Sequence, residues 1–99
     1  MNWQVYIILC SDNTFYTGIT TDVDRRLAQH AEQRGAKYFR GRSPLEVVYL
    51  ESGHDRSSAA RREIEIKGLS KLDKSALLAS GINEVGATGR KTSKMKADE

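Results

Sequence analysis

The sequence predicts an α+β domain, a three-stranded sheet flanked by helices in the order β-β-α-β-α-α. Two bulky, β-branched runs separated by a turn cluster give a hairpin. A third such run follows a lone proline, and capped helical segments follow the second and third runs. With 99 residues the chain suits one compact domain and is too short for two that each bury an adequate core.

The first strand runs from Trp3 to Cys10, Ser11-Asp12-Asn13-Thr14 turns the chain, and the second strand runs from Phe15 to Thr20. Thr21 or Asp22 can cap the first helix by accepting hydrogen bonds from its free N–H groups. Val23, Leu27 and Ala31 form its apolar stripe and Gly35 stops it. Pro44 precedes a third strand from about Leu45 to Glu51. Asp55 or Ser57 then caps a second helix that runs to about Leu69, and Leu72 to Ser80 forms a shorter third. From Gly81 onward the chain is rich in glycine and small polar residues and lacks a helical or strand period. The expectation is a domain over 1–80 and a disordered tail over 81–99.

Composition narrows the function. The single cysteine, Cys10, permits no internal disulfide and sits in an apolar run, which fits a core residue in a reducing compartment better than a nucleophile. The apolar start is too short for a signal sequence or a membrane span, so a cytoplasmic protein with no membrane partner is expected. No Cys/His cluster, P-loop or dinucleotide glycine pattern is present, which disfavours zinc, nucleotide and redox cofactors. The net charge is only +3, but Arg25 to Arg42 holds six basic residues against Glu32 alone, a local +5 that leaves the remainder at −2. Within it, GAKYFRGR interleaves Lys37, Arg40 and Arg42 with Tyr38 and Phe39, a pattern suited to following a phosphate backbone and stacking on exposed bases.

Several residues could carry chemistry. On a helical projection of the second helix, Ala59, Ala60, Ile64 and Ile66 centre the apolar face near about 50°, and Glu63 falls at about 40°. Arg61, Arg62 and Glu65 project elsewhere as solvated charges. A carboxylate on an apolar face needs compensation, either from Lys67 one turn on as a structural ion pair or from a metal or substrate. On the first helix Arg26 and His30 share a face, as a helix-end pair or as a phosphate site, while Arg25 points about 100° away as a surface charge. Tyr6 and Tyr16 share a sheet face if Ser11 pairs with Phe15, and lie on opposite faces if Cys10 does. Gly18 is either a simple bulge or a place where a ligand backbone approaches the sheet.

Taken together, VYI at 5 to 7, YTG at 16 to 18, Arg26, His30 and Glu63 in ARREIEIK resemble the GIY-YIG nuclease superfamily, and particularly its small stand-alone bacterial members. The similarity extends through GAKYFRGR and PLEVVYLE to about residue 80. It implies a three-stranded antiparallel sheet with the active site on one face, and hydrolysis of a nucleic-acid phosphodiester with one divalent metal, Mg²⁺ or Mn²⁺. Tyr6 and Tyr16 match the two motif tyrosines and Arg26 the essential arginine. His30 matches a position often filled by histidine or tyrosine, and Glu63 the metal-binding glutamate. The first motif lacks its glycine, and Thr17 stands where isoleucine or valine is usual.

The implied function is a structure-selective endonuclease with DNA ahead of RNA as its partner, in repair or recombination. Gly18, Lys37, Tyr38, Arg40, Arg42 and Lys67 would contribute to binding. Many relatives attach a DNA-binding domain for which this chain has no room, so a targeting protein is a further expected partner. The alternatives are an accessory nucleic-acid-binding module with little turnover, or a small interaction protein in which Glu63 and Lys67 are a structural pair.

Overall fold

A computed structural model of the chain describes residues 2–32, 41–80 and 83–84. Strands β1 (Trp3–Cys10), β2 (Phe15–Thr20) and β3 (Pro44–His54) form one antiparallel sheet in the order β2-β1-β3. Helix α1 (Val23–Ala31) follows β2, and α2 (Arg56–Lys67) and α3 (Lys71–Leu78) follow β3. The expected class and element order are therefore present. As the central strand, with side chains packed on both faces, β1 buries Val5, Tyr6, Ile7 and Ile8 in succession.

The hairpin sets the geometry of everything above it. Ser11, Asp12 and Asn13 form its loop, closed by Cys10 N–H donating to Thr14 O at 2.9 Å, with Asn13 at φ 66°. Asparagine tolerates that left-handed conformation, which a three-residue hairpin loop requires. The register pairs Leu9 with Phe15, Ile8 with Tyr16 and Tyr6 with Gly18. Neither expected register occurs, but the observed one has the parity that places Tyr6 and Tyr16 on the same face.

Each face has its own core. Tyr6, Ile8 and Cys10 pack with Val23 and Leu27 of α1 and with Val47 and Leu50 of β3, and Tyr16 lies against this cluster. On the other face Val5, Ile7 and Tyr49 pack with Ala59 and Ile66 of α2, with Phe15, Ile19, Leu77 and Leu78 around them. Helix α1 is capped by Asp22, whose side chain accepts from Arg25 N–H. Its buried stripe is Val23, Leu27 and His30 rather than the expected Val23, Leu27 and Ala31, and Ala31 is exposed. Helix α2 is closed at its start by a capping box in which Asp55 accepts from Ser58 N–H and Ser58 Oγ accepts from Asp55 N–H.

The second helix corrects the expected apolar face. Ile64 is 70% exposed, and only Ala59 and Ile66 are buried, so the inner stripe centres near about 350° on the same projection. Arg62 and Glu63 flank that line by about 50° on either side. Asn83 and Glu84, assigned to the tail by sequence, hydrogen-bond to β3. Glu84 N–H donates to Leu50 O at 2.9 Å, and the Asn83 amide donates to Val48 O and accepts from Leu50 N–H. The rest of 81–99 lies outside the described residues.

Candidate active site

The face of the sheet covered by α1 gathers most of the expected site. Tyr6 is buried in the central strand, and its hydroxyl lies 3.0 Å from His30 Nε2 on the last turn of α1. Tyr16 completes an aromatic trio, its ring centroid 6.2 Å from that of Tyr6 and 5.3 Å from that of His30, edge-on to the imidazole. Gly18, directly across from Tyr6, makes room for it: a Cβ there would stand 2.5 Å from the phenol oxygen. Its role is to accommodate the Tyr6 side chain, and the space expected for a ligand backbone is occupied by that ring.

Arg26 and His30 share a helical face as expected, one turn apart. Arg26 is half-buried, and its guanidinium donates to Gln29 Oε1 at 3.0 Å. Gln29 thus orients the arginine, a role that no property of glutamine in a helix announces.

The electrostatics follow from burial and from Arg26. His30 is fully buried, and desolvation, followed by the nearby Arg26 charge, pulls its pKa down to about 4. Tyr6 is pushed well above the usual phenol value by burial and by Tyr16, with a smaller contribution from Glu63; Arg26 opposes this and favours the phenolate. At neutral pH the pair is a neutral phenol and a neutral imidazole. The Tyr6 hydroxyl and His30 Nε2 share one hydrogen bond, whose direction is set by the imidazole tautomer, and the Arg26 charge acts on both groups.

Glu63 stands on α2, which packs across β1 and β2 on the opposite face of the sheet, near enough for its charge to act on the Tyr6 phenol. Its side chain is 22% exposed, and Oε2 lies 3.1 Å from Lys67 Nζ, so the expected ion pair is present. Lys67 is 54% exposed, a geometry in which much of the attraction is screened. The other carboxylate oxygen makes no hydrogen bond among the described residues. That suits a hard divalent cation, which takes one or two carboxylates and fills its remaining positions with water and phosphate oxygens. No group of three or more His, Cys, Asp or Glu side chains placed to hold a metal occurs among the described residues.

The remaining expected binders divide. Arg42 donates from Nε to Asp12 Oδ2 at 2.7 Å, tying the hairpin turn to the start of β3. Lys37, Tyr38 and Arg40, with Phe39, lie outside the described residues.

Arg62, expected to be a solvated charge, is instead half-buried. It donates from Nε to Glu51 Oε1 at 3.1 Å and from Nη1 to Glu65 Oε1 at 3.0 Å. Glu51 also accepts from the Tyr49 hydroxyl and lies 2.6 Å from His54 Nε2. Burial pushes the Glu51 carboxyl up, but the hydrogen bonds of Tyr49 and His54 and the Arg62 charge hold it below the usual carboxylate range. This network anchors α2 to β3 on the side of the helix away from Glu63. Its sequence signal was weak, because an Arg-Arg-Glu run in a helix reads as solvent-facing.

Comparison with known proteins agrees with the motif. The GIY-YIG catalytic domain family model matches residues 2–75. A UPF0213 protein of Halobacterium salinarum is 55% identical over 74 residues, covering 75% of this chain and 96% of that protein. A UPF0213 protein of Vibrio cholerae is 51% identical over 78 residues, covering 78% of this chain and 77% of its own length. The solution NMR structure of a UPF0213 protein from Bacillus halodurans shares the fold with a TM-score of 0.53 at 44% identity, over 85% of this chain and 89% of that one. On this match over three quarters of its length, with relatives at about half identity, the chain belongs to the GIY-YIG catalytic domain family.

Proposed function

We propose that this protein is a metal-dependent endonuclease that hydrolyses nucleic-acid phosphodiester bonds, with DNA as substrate in preference to RNA. The observation that carries the reading is the Tyr6–His30 hydrogen bond packed against Gly18, with the charges of Arg26 and Glu63 near enough to act on the Tyr6 phenol. Arg26 presents a planar cation to the phosphoryl oxygens and neutralises the charge that builds there. Tyr6 takes the proton of the attacking water while passing its own to His30, and Tyr16 positions the water or the phosphate. Burial alone makes Tyr6 a poor base; a proton shared with His30 and the field of Arg26 lower that barrier. Glu63 would hold the divalent ion, Mg²⁺ or Mn²⁺, which would supply Lewis-acid stabilisation of the negative charge that develops in the reaction.

The basic segment of Lys37, Tyr38, Arg40 and Arg42 follows the backbone without reading base edges. The expected selectivity is therefore for branched, flapped or single-stranded structure, as in repair or recombination. A cytoplasmic enzyme guided by a targeting protein fits this reading. No helix among the described residues is long and apolar enough to cross a membrane.

A second reading, an accessory binding module, is favoured by one observation: Lys67 already engages an oxygen of Glu63. Incubating wild type, Glu63→Ala and Arg26→Ala with labelled branched and duplex DNA, with and without Mg²⁺ or Mn²⁺, separates the two. Metal-dependent cleavage lost in both variants supports the enzyme. Binding by all three proteins without cleavage under any condition supports the module, and no binding at low salt removes both.

A further inference from the structure

Beyond the aromatic trio, the face of β2 that carries Tyr16 and Gly18 continues to Thr20, about 7 Å further along the strand. There a cleft of about 250 Å³ opens between the end of the hairpin and α1, lined by Trp3, Ile19, Thr20, Arg25, Arg26 and Gln29 among others. Arg26 therefore borders both the candidate active site and the cleft.

Three features of the cleft point to a ligand. Arg25, expected to point away as a surface charge, converges on it with Arg26, and its guanidinium has no hydrogen-bond or ion-pair partner among the described residues. Gln29 holds Arg26 from the cleft side. Trp3 also lines the cleft, with its indole packed on the α2 side of the sheet and Arg56 5.9 Å from its centroid. A planar π surface beside two guanidinium groups matches one nucleotide: a base stacks on the indole, and a phosphate takes the arginine fork.

We infer that this cleft binds the nucleotide next to the scissile phosphate, with Arg25 on its phosphate and Trp3 against its base. The inference rests on the nuclease reading and deepens it. Arg26 and Arg25 would hold successive phosphates, fixing which bond lies beside Tyr6. Because every base has a π face, such a subsite positions the strand without selecting sequence.

Trp3 is the only tryptophan in the chain, so its emission reports on the cleft directly. The experiment titrates the full chain with single-stranded oligothymidylate in EDTA, following fluorescein-labelled strand by anisotropy and unlabelled strand by Trp3 fluorescence. The expected result is quenching with the same midpoint as the anisotropy rise. Arg25→Ala should weaken binding about five- to tenfold, while Arg61→Ala, an exposed arginine of α2, changes it less than twofold. An abasic strand of equal length should bind without comparable quenching. Binding by anisotropy with unmoved Trp3 emission, or with Arg25→Ala as tight as wild type, overturns the inference and leaves the nuclease reading intact. No anisotropy change at low salt overturns the nuclease reading and the inference with it.

Discussion

The Tyr6 hydroxyl meets His30 Nε2 at 3.0 Å in a fully buried pair, joining the central strand to the last turn of α1. Burial lowers the His30 pKa from 6.5 to about 4, so between those values the unfolded chain binds a proton that the folded protein does not. The stability from this site is complete above about pH 6.5 and is lost as the pH falls toward 4, by ~3 kcal/mol in all. Thermal melts across that range should show Tm falling with acidification, and His30→Gln, which cannot titrate, should flatten the curve. An unchanged slope in the variant would show that other groups govern the acid limb.

Gly18 and Tyr6 are cross-strand partners with no spare volume between them. In Gly18→Ala the new methyl would stand 2.5 Å from the phenol oxygen and 2.7 Å from Cζ, so the ring must move away from His30. We expect a loss of about 1–3 kcal/mol, as for overpacking of a tight core. Chemical denaturation measures it, and wild-type stability in the variant would contradict the close approach.

Thr17 is buried beside Phe15 and Ile19, on the face of β2 turned toward α2, and its hydroxyl has no hydrogen-bond partner among the described residues. Replacing it with valine removes a desolvated polar group at nearly constant volume. Thr17→Val should raise stability by about 1 kcal/mol, or roughly 4–8 °C in Tm for a domain of this size. A lower Tm would show that the hydroxyl is satisfied in solution.

Arg62 and Glu51 hold α2 to β3. Arg62→Leu leaves the half-buried Glu51 carboxylate without its cation and should cost about 1.5–3 kcal/mol, while Arg61→Ala next to it should stay within about 0.5 kcal/mol. Paired denaturation curves decide this, and equal effects would mean that Arg62 is as solvated as its neighbour.

Much of the site was legible because its signals are local. Arg26 and His30 one turn apart, and a glycine two residues after Tyr16, follow from helical and strand periodicity alone. The inward direction of Glu63 was also legible, although Ile64, used to define the apolar face, is exposed. The remainder depends on contacts between distant segments. Which parity the hairpin adopts is decided by the left-handed Asn13, the burial of His30 by its meeting with Tyr6, and the fate of Arg62 by Glu51 eleven residues earlier. Asn83 and Glu84 looked like tail because their value lies in side-chain and main-chain bonds to β3, which composition does not encode.

The central claim is that Glu63 serves the chemistry at this site rather than only its pair with Lys67. The most direct measurement is the single-turnover cleavage rate of labelled branched DNA in Mg²⁺ by wild type and Glu63→Gln, with binding of each followed by anisotropy. Glutamine is nearly isosteric but loses the charge a divalent cation needs. The account predicts cleavage reduced at least about a hundredfold, comparable with the loss of one transition-state stabilising group, with binding changed less than about threefold. Cleavage by Glu63→Gln at the wild-type rate would contradict it.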